Sequence, residues 1–193
     1  KLWTSDEHQC RAMEMIPEGA PVLAIGPTAN WRAKIWPSVC FSELCARMTA
    51  DDGMLSRARV AVFGRADERP DVLRLIESIP EDRRIDLVGR ADLLEVYACL
   101  ARCAFYVGND SGLMHLAAAS GVPTLGLFGP SPEENYAPWG PLCEVVRTDK
   151  SFQEIFPTGF DHRASGSLMK NLSVDQVEIA ARKLWQRVVE KMA

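Results

Sequence analysis

The stretch FYVGNDSGLMHLAAASGVPTLGLFGP, residues 105–130, predicts a strand, a polar turn, a helix and a second strand in one uninterrupted run. It opens with the aromatic and β-branched residues of a buried strand, and GNDSG at 108–112 supplies the turn. Apolar residues then recur at helical spacing, and either Asp110 or Ser111 can cap the helix. The free amide groups and the positive dipole end of such a helix attract anions. We therefore expect a phosphate or diphosphate above this strand end.

The composition is that of a folded protein. The 193 residues are 47% hydrophobic and 25% charged, which is enough to bury a core. A net charge of -4 gives no general attraction for nucleic acid. The six cysteines form no CxxC pair or Cys/His cluster, so we expect neither a zinc site nor disulfides but mostly buried thiols of a cytosolic protein.

The chain shows no targeting or membrane signal. No apolar run approaches the length of a membrane span, and the N-terminus lacks a signal-peptide pattern. Because the sequence begins with Lys, we expect a processed product or a fragment of a longer protein.

Strands and helices alternate along the sequence. Predicted strands cover residues 21–26, 59–63, 85–88, 103–107, 123–127 and 144–146, and predicted helices 5–16, 37–50, 68–79, 92–101, the run after 112, and 174–192. This alternation indicates a parallel sheet with helices on both faces, an α/β fold. Ligands of such sheets bind beyond the carboxyl ends of the strands.

The loop after the first strand carries groups suited to a diphosphate. In PTANWRAKIWP, residues 27–37, Thr28 and Asn30 offer polar side chains, and Lys34 comes just before a helix start. A lysine in this position can clamp a diphosphate. The alternative is a surface loop whose tryptophans pack on the sheet edge.

Three further segments carry candidate site residues. Glu68 lies near a helix start, where it could accept hydrogen bonds from ribose hydroxyls or simply complement the helix dipole. Gly89 and Arg90 precede a capped helix start that could border a base. His115 follows the turn by one helical turn, so it could donate to a phosphate oxygen, or it could be a hydrogen-bonded core histidine.

Other phosphate motifs are absent from the sequence. There is no GxxxxGK[ST], which excludes a P-loop, and no GxGxxG after the first strand, which weakens a dehydrogenase interpretation. No DxD occurs either. We therefore expect no metal and no cofactor, with Lys34, the helix dipole and backbone amides neutralising a diphosphate.

The sequence resembles a known family. The run IDLVGRADLLEVYACLARCAFYVGNDSGLMHLAAASGVPTLGLFGPSPEENYAPWGP, residues 85–141, together with NWRAKIWP, residues 30–37, is similar to the C-terminal half of the ADP-heptose:lipopolysaccharide heptosyltransferases. These are inverting GT-B glycosyltransferases. The resemblance implies a Rossmann-like, doubly wound parallel sheet of about six strands, in one donor-binding domain spanning residues 1–193. It also implies that the lipopolysaccharide core acceptor and an acidic general base belong to an N-terminal domain outside this chain, so that this chain alone binds donor without transferring sugar.

The resemblance also assigns roles to individual residues. Lys34 would contact the diphosphate or sugar and stabilise the leaving group, and Asp110 would bind sugar hydroxyls. The other implied donor contacts are ribose for Glu68, adenine for the turn at Gly89 and Arg90, and phosphate for Ser111, Gly112 and His115, with Thr28 and Asn30 in the lysine loop. The helix at residues 173–193 would pack toward the other domain. The enzyme would be cytoplasmic, with at most peripheral association at the inner face of the membrane.

Two other functions remain open from the sequence. One is a nucleotide-binding module without transfer activity. The other is a different nucleotide-sugar enzyme of the same fold, such as a hydrolysing epimerase that uses a UDP-sugar.

Overall fold

The sheet is parallel throughout. The computed structural model describes residues 2–155 and 166–192. Its six strands are β1 Val22–Gly26, β2 Arg59–Val62, β3 Arg84–Asp86, β4 Phe105–Asn109, β5 Thr124–Phe128 and β6 Cys143–Arg147. They are ordered β3-β2-β1-β4-β5-β6, and every neighbouring pair is parallel. The predicted Rossmann-like, doubly wound sheet of about six strands is confirmed.

Helices connect the strands and cover both faces. The helices of the described residues are α1 Asp6–Met15, α2 Ser38–Met48, α3 Arg69–Ser78, α4 Leu93–Leu100, α5 Gly112–Ser120, α6 Glu133–Tyr136, α7 Phe152–Ile155 and α8 Val174–Met192. Short 3-10 turns lie at Arg32–Lys34, Ala66–Glu68 and Glu81–Arg83. The sequence did not predict α6 or α7, because a single helical turn is too short to show a periodic pattern.

The strand that precedes α5 is longer than predicted at its carboxyl end. Gly108 and Asn109 belong to β4, where Gly108 pairs with Gly26 of β1 and with Gly126 of β5. Glycine and asparagine favour turns, so the sequence assigned them to the turn. Pairing with strands on both sides overrides that local preference.

Each face of the sheet has its own core. Leu23, Ile25 and Val107 lie in the cluster that includes α2, α3 and α8. Ala24 and Tyr106, the intervening residues, lie in the cluster that includes α1, α4 and α5. Alternate residues of a strand point to opposite faces, so a buried parallel sheet needs apolar side chains at every position.

The last helix packs on this sheet. Val177, Ala181, Leu184 and Val188 of α8 are buried in the core that also holds α2, and the helix contacts β5 and β6. Ile179, by contrast, is 67% exposed. The role of residues 173–193 toward another domain stays a prediction.

The six cysteines are all free, but most are not fully buried as expected. Cys45 and Cys99 are buried, Cys10 is exposed, and the other three are half-buried. Burial raises the pKa of the Cys45 and Cys99 thiols to about 12, so both are unreactive at neutral pH.

Among the described residues, no helix combines the length and the hydropathy that crossing a membrane requires.

An ion pair joins β3 to α3. Arg69 donates to the Asp86 carboxylate over 2.5 Å, and the backbone N–H of Val88 donates to it over 3.2 Å. Burial favours the neutral acid, but these hydrogen bonds and the nearby positive charges outweigh it and hold the pKa of Asp86 below its usual value. The stability that this ion pair gives the folded chain is therefore fully present above the ordinary aspartate pKa, about 3.9. It is lost as pH falls through the lower folded-state pKa of Asp86.

We expect Asp86→Asn to lower the melting temperature at neutral pH, because the ion pair is lost. The difference from the native chain should begin to shrink below about pH 4, where Asp86 takes up a proton in the unfolded chain, and should be lost as pH falls through the lower folded-state pKa. Thermal unfolding followed across this range checks the prediction. Asp82→Asn, at an exposed site of the turn before β3, is the matched control. A difference in melting temperature between Asp86→Asn and the native chain that stays constant down to about pH 3 would contradict the prediction.

Candidate functional site

A cleft of about 490 Å³ lies at the carboxyl ends of β1, β2 and β4. It brings together residues from four connecting segments that are far apart in sequence. The predicted site residues that line it are Thr28, Asn30, Glu68, Gly89, Ser111 and Gly112. Lys34, Arg90, Asp110 and His115 are not among its lining residues. The structure thus separates the predicted site residues into a set that lines the cleft and a set that does not.

One wall of the cleft is apolar. Leu93 and Val96 of α4 face Leu113 and Leu116 of α5 and the buried Phe63 across this space. None of these side chains was predicted as part of the site. Their spacing along α4 and α5 was the available signal, but it is equally typical of core packing. A mostly apolar wall with a few polar groups is typical of a small-molecule site.

Glu68 presents its carboxylate to the cleft. Its Oε2 accepts hydrogen bonds from the Thr28 hydroxyl, at 2.9 Å, and from the Arg65 backbone N–H, at 2.8 Å. These bonds close the 3-10 turn Ala66–Glu68, whereas α3, which follows, receives no side-chain cap from Glu68. A purely structural role at the helix start therefore accounts for the hydrogen bonds of Oε2 but not for Oε1. Oε1, which lies 3.7 Å from the Arg65 guanidinium, retains capacity for a hydroxyl donor.

Arg65 is a site residue that the sequence analysis missed. Its guanidinium binds Asp67 through two hydrogen bonds, of 3.0 and 2.9 Å, and donates to Asn30 Oδ1 over 3.2 Å. It thereby joins the loop after β2 to the loop after β1. Asn30 is oriented by this contact. The local sequence around Arg65 gives no sign of this contact with Asn30, because the two loops are brought together only by strand pairing.

The start of α5 has unpaired donors. Ser111 is the N-cap residue, with extended backbone, but its side chain makes no capping hydrogen bond, so that expectation was wrong. Its Oγ is buried without a hydrogen-bond partner among the described residues. The amides of Gly112 and Leu113 also find no acceptor in the described part of the chain. Gly112 has open space around it, so an anion can reach these donors.

Lys34 lies beside this helix start. Its ammonium donates to Asp110 Oδ2 over 2.5 Å, with the two side chains 22% and 6% exposed. It also lies 5.4 Å from the centre of the Tyr136 ring, within range of a cation–π interaction. Because an ammonium has three donors, Lys34 can keep Asp110 and still bind an anion. Asp110, which was predicted to bind sugar hydroxyls, is thus also the ion-pair partner of Lys34.

Asn109 and Trp36 hold the lysine loop in place. The Asn109 side chain accepts from the Trp36 backbone N–H at 3.0 Å and donates to the Pro27 carbonyl at 2.8 Å, so it fixes both ends of the loop. The Trp36 indole is buried and donates to the Leu172 carbonyl over 2.8 Å. The Ser167 hydroxyl donates to the Ile35 carbonyl over 2.6 Å. The loop is therefore held firmly at the sheet edge, and the packing of Trp36 agrees with the alternative interpretation, while the diphosphate contact of Lys34 stays a prediction.

The remaining predicted residues lie at the margin. Arg90 is exposed and approaches Asp86 at 3.4 Å. His115 is exposed, and its imidazole makes no hydrogen bond with another residue that the structure describes, so the core-histidine alternative was wrong. Gly89 has a φ of +72°, and a Cβ there would lie 2.6 Å from the Ala66 Cβ, so only glycine fits. The ligand contacts assigned to these three residues stay predictions.

A second cleft, of about 630 Å³, shares a wall with the first. Thr28, Asn30, Arg65 and Glu68 line both. On its far side the second cleft is lined by Trp36 and Lys170, among others. A ligand longer than a nucleoside therefore has room to extend past Glu68.

This parallel sheet, with a cleft at its switch point and unpaired donors at the start of α5, defines a doubly wound α/β protein of Rossmann-like fold. The chain matches the model of a family described as glycosyltransferase family 9 (heptosyltransferase) over residues 2–157. It belongs to that family, and the predicted family membership is confirmed.

Relatives and solved structures agree with the assignment. Lipooligosaccharide heptosyltransferase 2 of Haemophilus influenzae is 33% identical over 131 residues, which are 66% of this chain and 36% of the relative. The glycosyl transferase family 9 structure from Veillonella parvula matches with a TM-score of 0.81 and 22% identity, over 96% of this chain and 53% of that one. For the ADP-heptose lps heptosyltransferase II of E. coli, the TM-score is 0.76 and the identity 22%, over 97% and 54% of the two chains. This chain spans about half the length of these solved structures and about a third of the curated relative.

The expectation that no metal or cofactor is involved is contradicted. TibC of enterotoxigenic E. coli, a bacterial iron-containing dodecameric glycosyltransferase, shares the fold with a TM-score of 0.65 and 22% identity, over 89% of this chain and 46% of that one. Because a protein of this fold contains iron, the missing DxD pattern does not establish metal independence. Within residues 2–155 and 166–192, no group of three or more His, Cys, Asp or Glu side chains is arranged to hold a metal ion.

We expect the Lys34–Asp110 pair to be energetically coupled. Lys34→Ala should lower the free energy of unfolding by about 1–3 kcal/mol, because it leaves a nearly buried carboxylate without its partner, while Lys34 itself is only partly shielded from water. The double variant Lys34→Ala/Asp110→Ala should lose less than the sum of the two single variants. Urea unfolding of the four proteins measures the coupling. Lys183→Ala, an exposed lysine of α8, controls for the change in net charge. Strict additivity would show that the pair contributes nothing.

Proposed function

We propose that this chain is the donor-binding half of a GT-B heptosyltransferase. It holds ADP-heptose for the inverting transfer of heptose to a lipopolysaccharide core acceptor. Membership of the heptosyltransferase family supports the class of reaction. The observation that carries the proposal is that three different surfaces lie together at one sheet edge. They are an apolar wall, the Glu68 carboxylate and the unpaired donors of α5.

These surfaces suit the successive parts of an ADP-sugar. The adenine packs between α4 and α5, against Leu93 and Val96. Ribose hydroxyls donate hydrogen bonds to the Glu68 carboxylate, which is a strong acceptor. The diphosphate receives hydrogen bonds from the amides of Gly112 and Leu113 and the charge of Lys34. The donor named for the E. coli structure of this fold, ADP-heptose, has these parts.

The sugar then lies beyond the diphosphate, near Asp110. Asp110 Oδ2 is engaged by Lys34, while Oδ1 has no hydrogen-bond partner among the described residues and can accept from a sugar hydroxyl. We assign Thr28, Asn30 and His115 as further donor contacts, of which Thr28 and Asn30 line the cleft. Arg90 and Gly89 border the adenine end.

The reaction is a single displacement with inversion. An acceptor hydroxyl attacks the anomeric carbon, the bond from that carbon to the diphosphate oxygen breaks, and its electron pair leaves with ADP. A carboxylate outside this chain takes the hydroxyl proton. Lys34 and the α5 amides stabilise the negative charge that develops on the diphosphate, and their fixed positions mean that little reorganisation is needed.

The cellular setting follows from the same proposal. Free thiols in all six cysteines agree with a reducing compartment, so we place the enzyme in the cytoplasm. Its acceptor is lipid-linked, which calls for at most peripheral contact with the inner face of the membrane.

Nucleotide titration tests the donor. We expect calorimetry to show tighter binding of ADP than of UDP or GDP, and tighter binding still of ADP-heptose. Glu68→Gln should weaken ADP binding roughly 3- to 10-fold, since it removes the charge from the ribose acceptor, and should leave 2′,3′-dideoxy-ADP unaffected. Glu77→Gln, on the exposed face of α3, is the matched control. A preference for UDP would indicate another nucleotide-sugar enzyme, and ADP binding without any effect of the sugar would indicate a nucleotide-binding module.

Turnover by the full-length protein tests the role of Lys34. Lys34→Ala should lower kcat about 10²- to 10³-fold, the effect typical of losing one preorganised charge-stabilising donor. Lys183→Ala should not change kcat. Unchanged turnover in Lys34→Ala would remove the lysine from the mechanism.

A further inference from the structure

Tyr106 of β4 is a buried polar residue that the proposed mechanism does not use. Its side chain is fully buried, and its hydroxyl has no hydrogen-bond partner among the described residues. Phenylalanine would fill the same space without leaving a polar atom unpaired. Buried hydroxyls are normally satisfied, so this one calls for a reason.

The backbone makes room for the Tyr106 hydroxyl. Residues two apart on a strand share a face, so the ring runs along the sheet over Gly108 toward the carboxyl edge. A Cβ on Gly108 would lie 2.2 Å from the hydroxyl oxygen, and a Cβ on Gly26, the partner of Gly108 on β1, would lie 2.0 Å from it. Any other residue at these two positions would displace the phenol. Two glycines in central strands weaken a sheet, so accommodating the hydroxyl carries a real penalty.

The same hydroxyl lies under the first turn of α5. The Cβ position on Gly26 is also 3.1 Å from Leu113 Cδ2, which places the phenol between the sheet edge and that turn. Burial raises the pKa of the Tyr106 phenol and the Ser111 hydroxyl offsets this only in part, so the phenol stays protonated and can donate, although neither hydroxyl has a hydrogen-bond partner among the described residues. Ser111 Oγ is itself buried and unpaired within the described residues, and Ser111 lines the cleft.

We propose that Tyr106 is a positioning residue for the diphosphate site. When the nucleotide binds, the phenol donates to Ser111 Oγ, and the Ser111 hydroxyl, its orientation thereby fixed, donates to a phosphate oxygen beside the amides of Gly112 and Leu113. This inference rests on the proposed function, since it requires a nucleoside diphosphate at the start of α5. It gives a partner to each of two buried hydroxyls that have none among the described residues, because the chain of donors forms only when its last acceptor, the phosphate, is present.

Binding of ADP and of adenosine, measured by calorimetry, separates positioning from packing. Tyr106→Phe should weaken ADP binding roughly 3- to 10-fold, the range for one net hydrogen bond, and should leave adenosine binding and the melting temperature unchanged. Adding Tyr106→Phe to Ser111→Ala should produce no further loss, because the phenol acts only through that serine.

Tyr97→Phe is the matched control. The Tyr97 hydroxyl also lies in the α1, α4 and α5 core, but it donates to the Ala119 carbonyl at 3.2 Å and accepts from the Leu2 N–H at 3.4 Å. Removing it should lower the melting temperature and leave the preference for ADP over adenosine intact.

The outcomes distinguish the two proposals. If the native chain binds ADP no better than adenosine, the proposed function fails. If the native preference is present and Tyr106→Phe retains it, only the role of Tyr106 is overturned. Additive losses in the double variant, or unfolding of Tyr106→Phe, would also overturn it, since either result assigns the phenol to packing or to a separate contact.

Discussion

The parallel pairing of β1 with β4 is the constraint on which the rest of the molecule depends. These strands are neighbours in the sheet but far apart in sequence, so the chain leaves β1 toward one edge and β4 toward the other. Their following loops diverge and leave a crevice between them. Because Gly26 and Gly108 pair at the end of this contact, the backbones meet there without intervening Cβ atoms. The lysine loop, α5 and the cleft all take their positions from this junction.

Most charges along this edge are already matched, and that arrangement determines what the edge can bind. Lys34 with Asp110, Arg65 with Asp67, and Arg69 with Asp86 are ion pairs within the protein. The donors left over are mainly backbone amides and hydroxyls, which are held by the fold and do not need to be ordered by a ligand. Such groups favour an anion through geometry more than through net charge, which agrees with a chain whose overall charge is negative.

The sequence predicted those features that local chemistry determines. Alternating periodicity and turn residues located the strands and helices, and the polar residues that follow the strands located Thr28, Glu68 and Gly112 at one edge. Arg65 and Tyr106 were missed, because their roles depend on which strands become neighbours. The extent of β4 was missed for the same reason. The expectation about metals was wrong in another way, since the absence of one motif says nothing about other means of holding an ion.

The indole of Trp36 has a consequence for the movement of the molecule. It joins the loop of Lys34 to the Leu172 carbonyl, just before α8, and the Ser167 hydroxyl adds a second link to the same loop. Both links are short and largely shielded from water, and Asn109 of β4 holds both ends of the same loop. The loop of Lys34 is therefore tied to the sheet on one side and to the start of α8 on the other. A movement of α8 away from the sheet would have to break these hydrogen bonds, so the position of the lysine depends on the seating of a helix that lies outside the cleft.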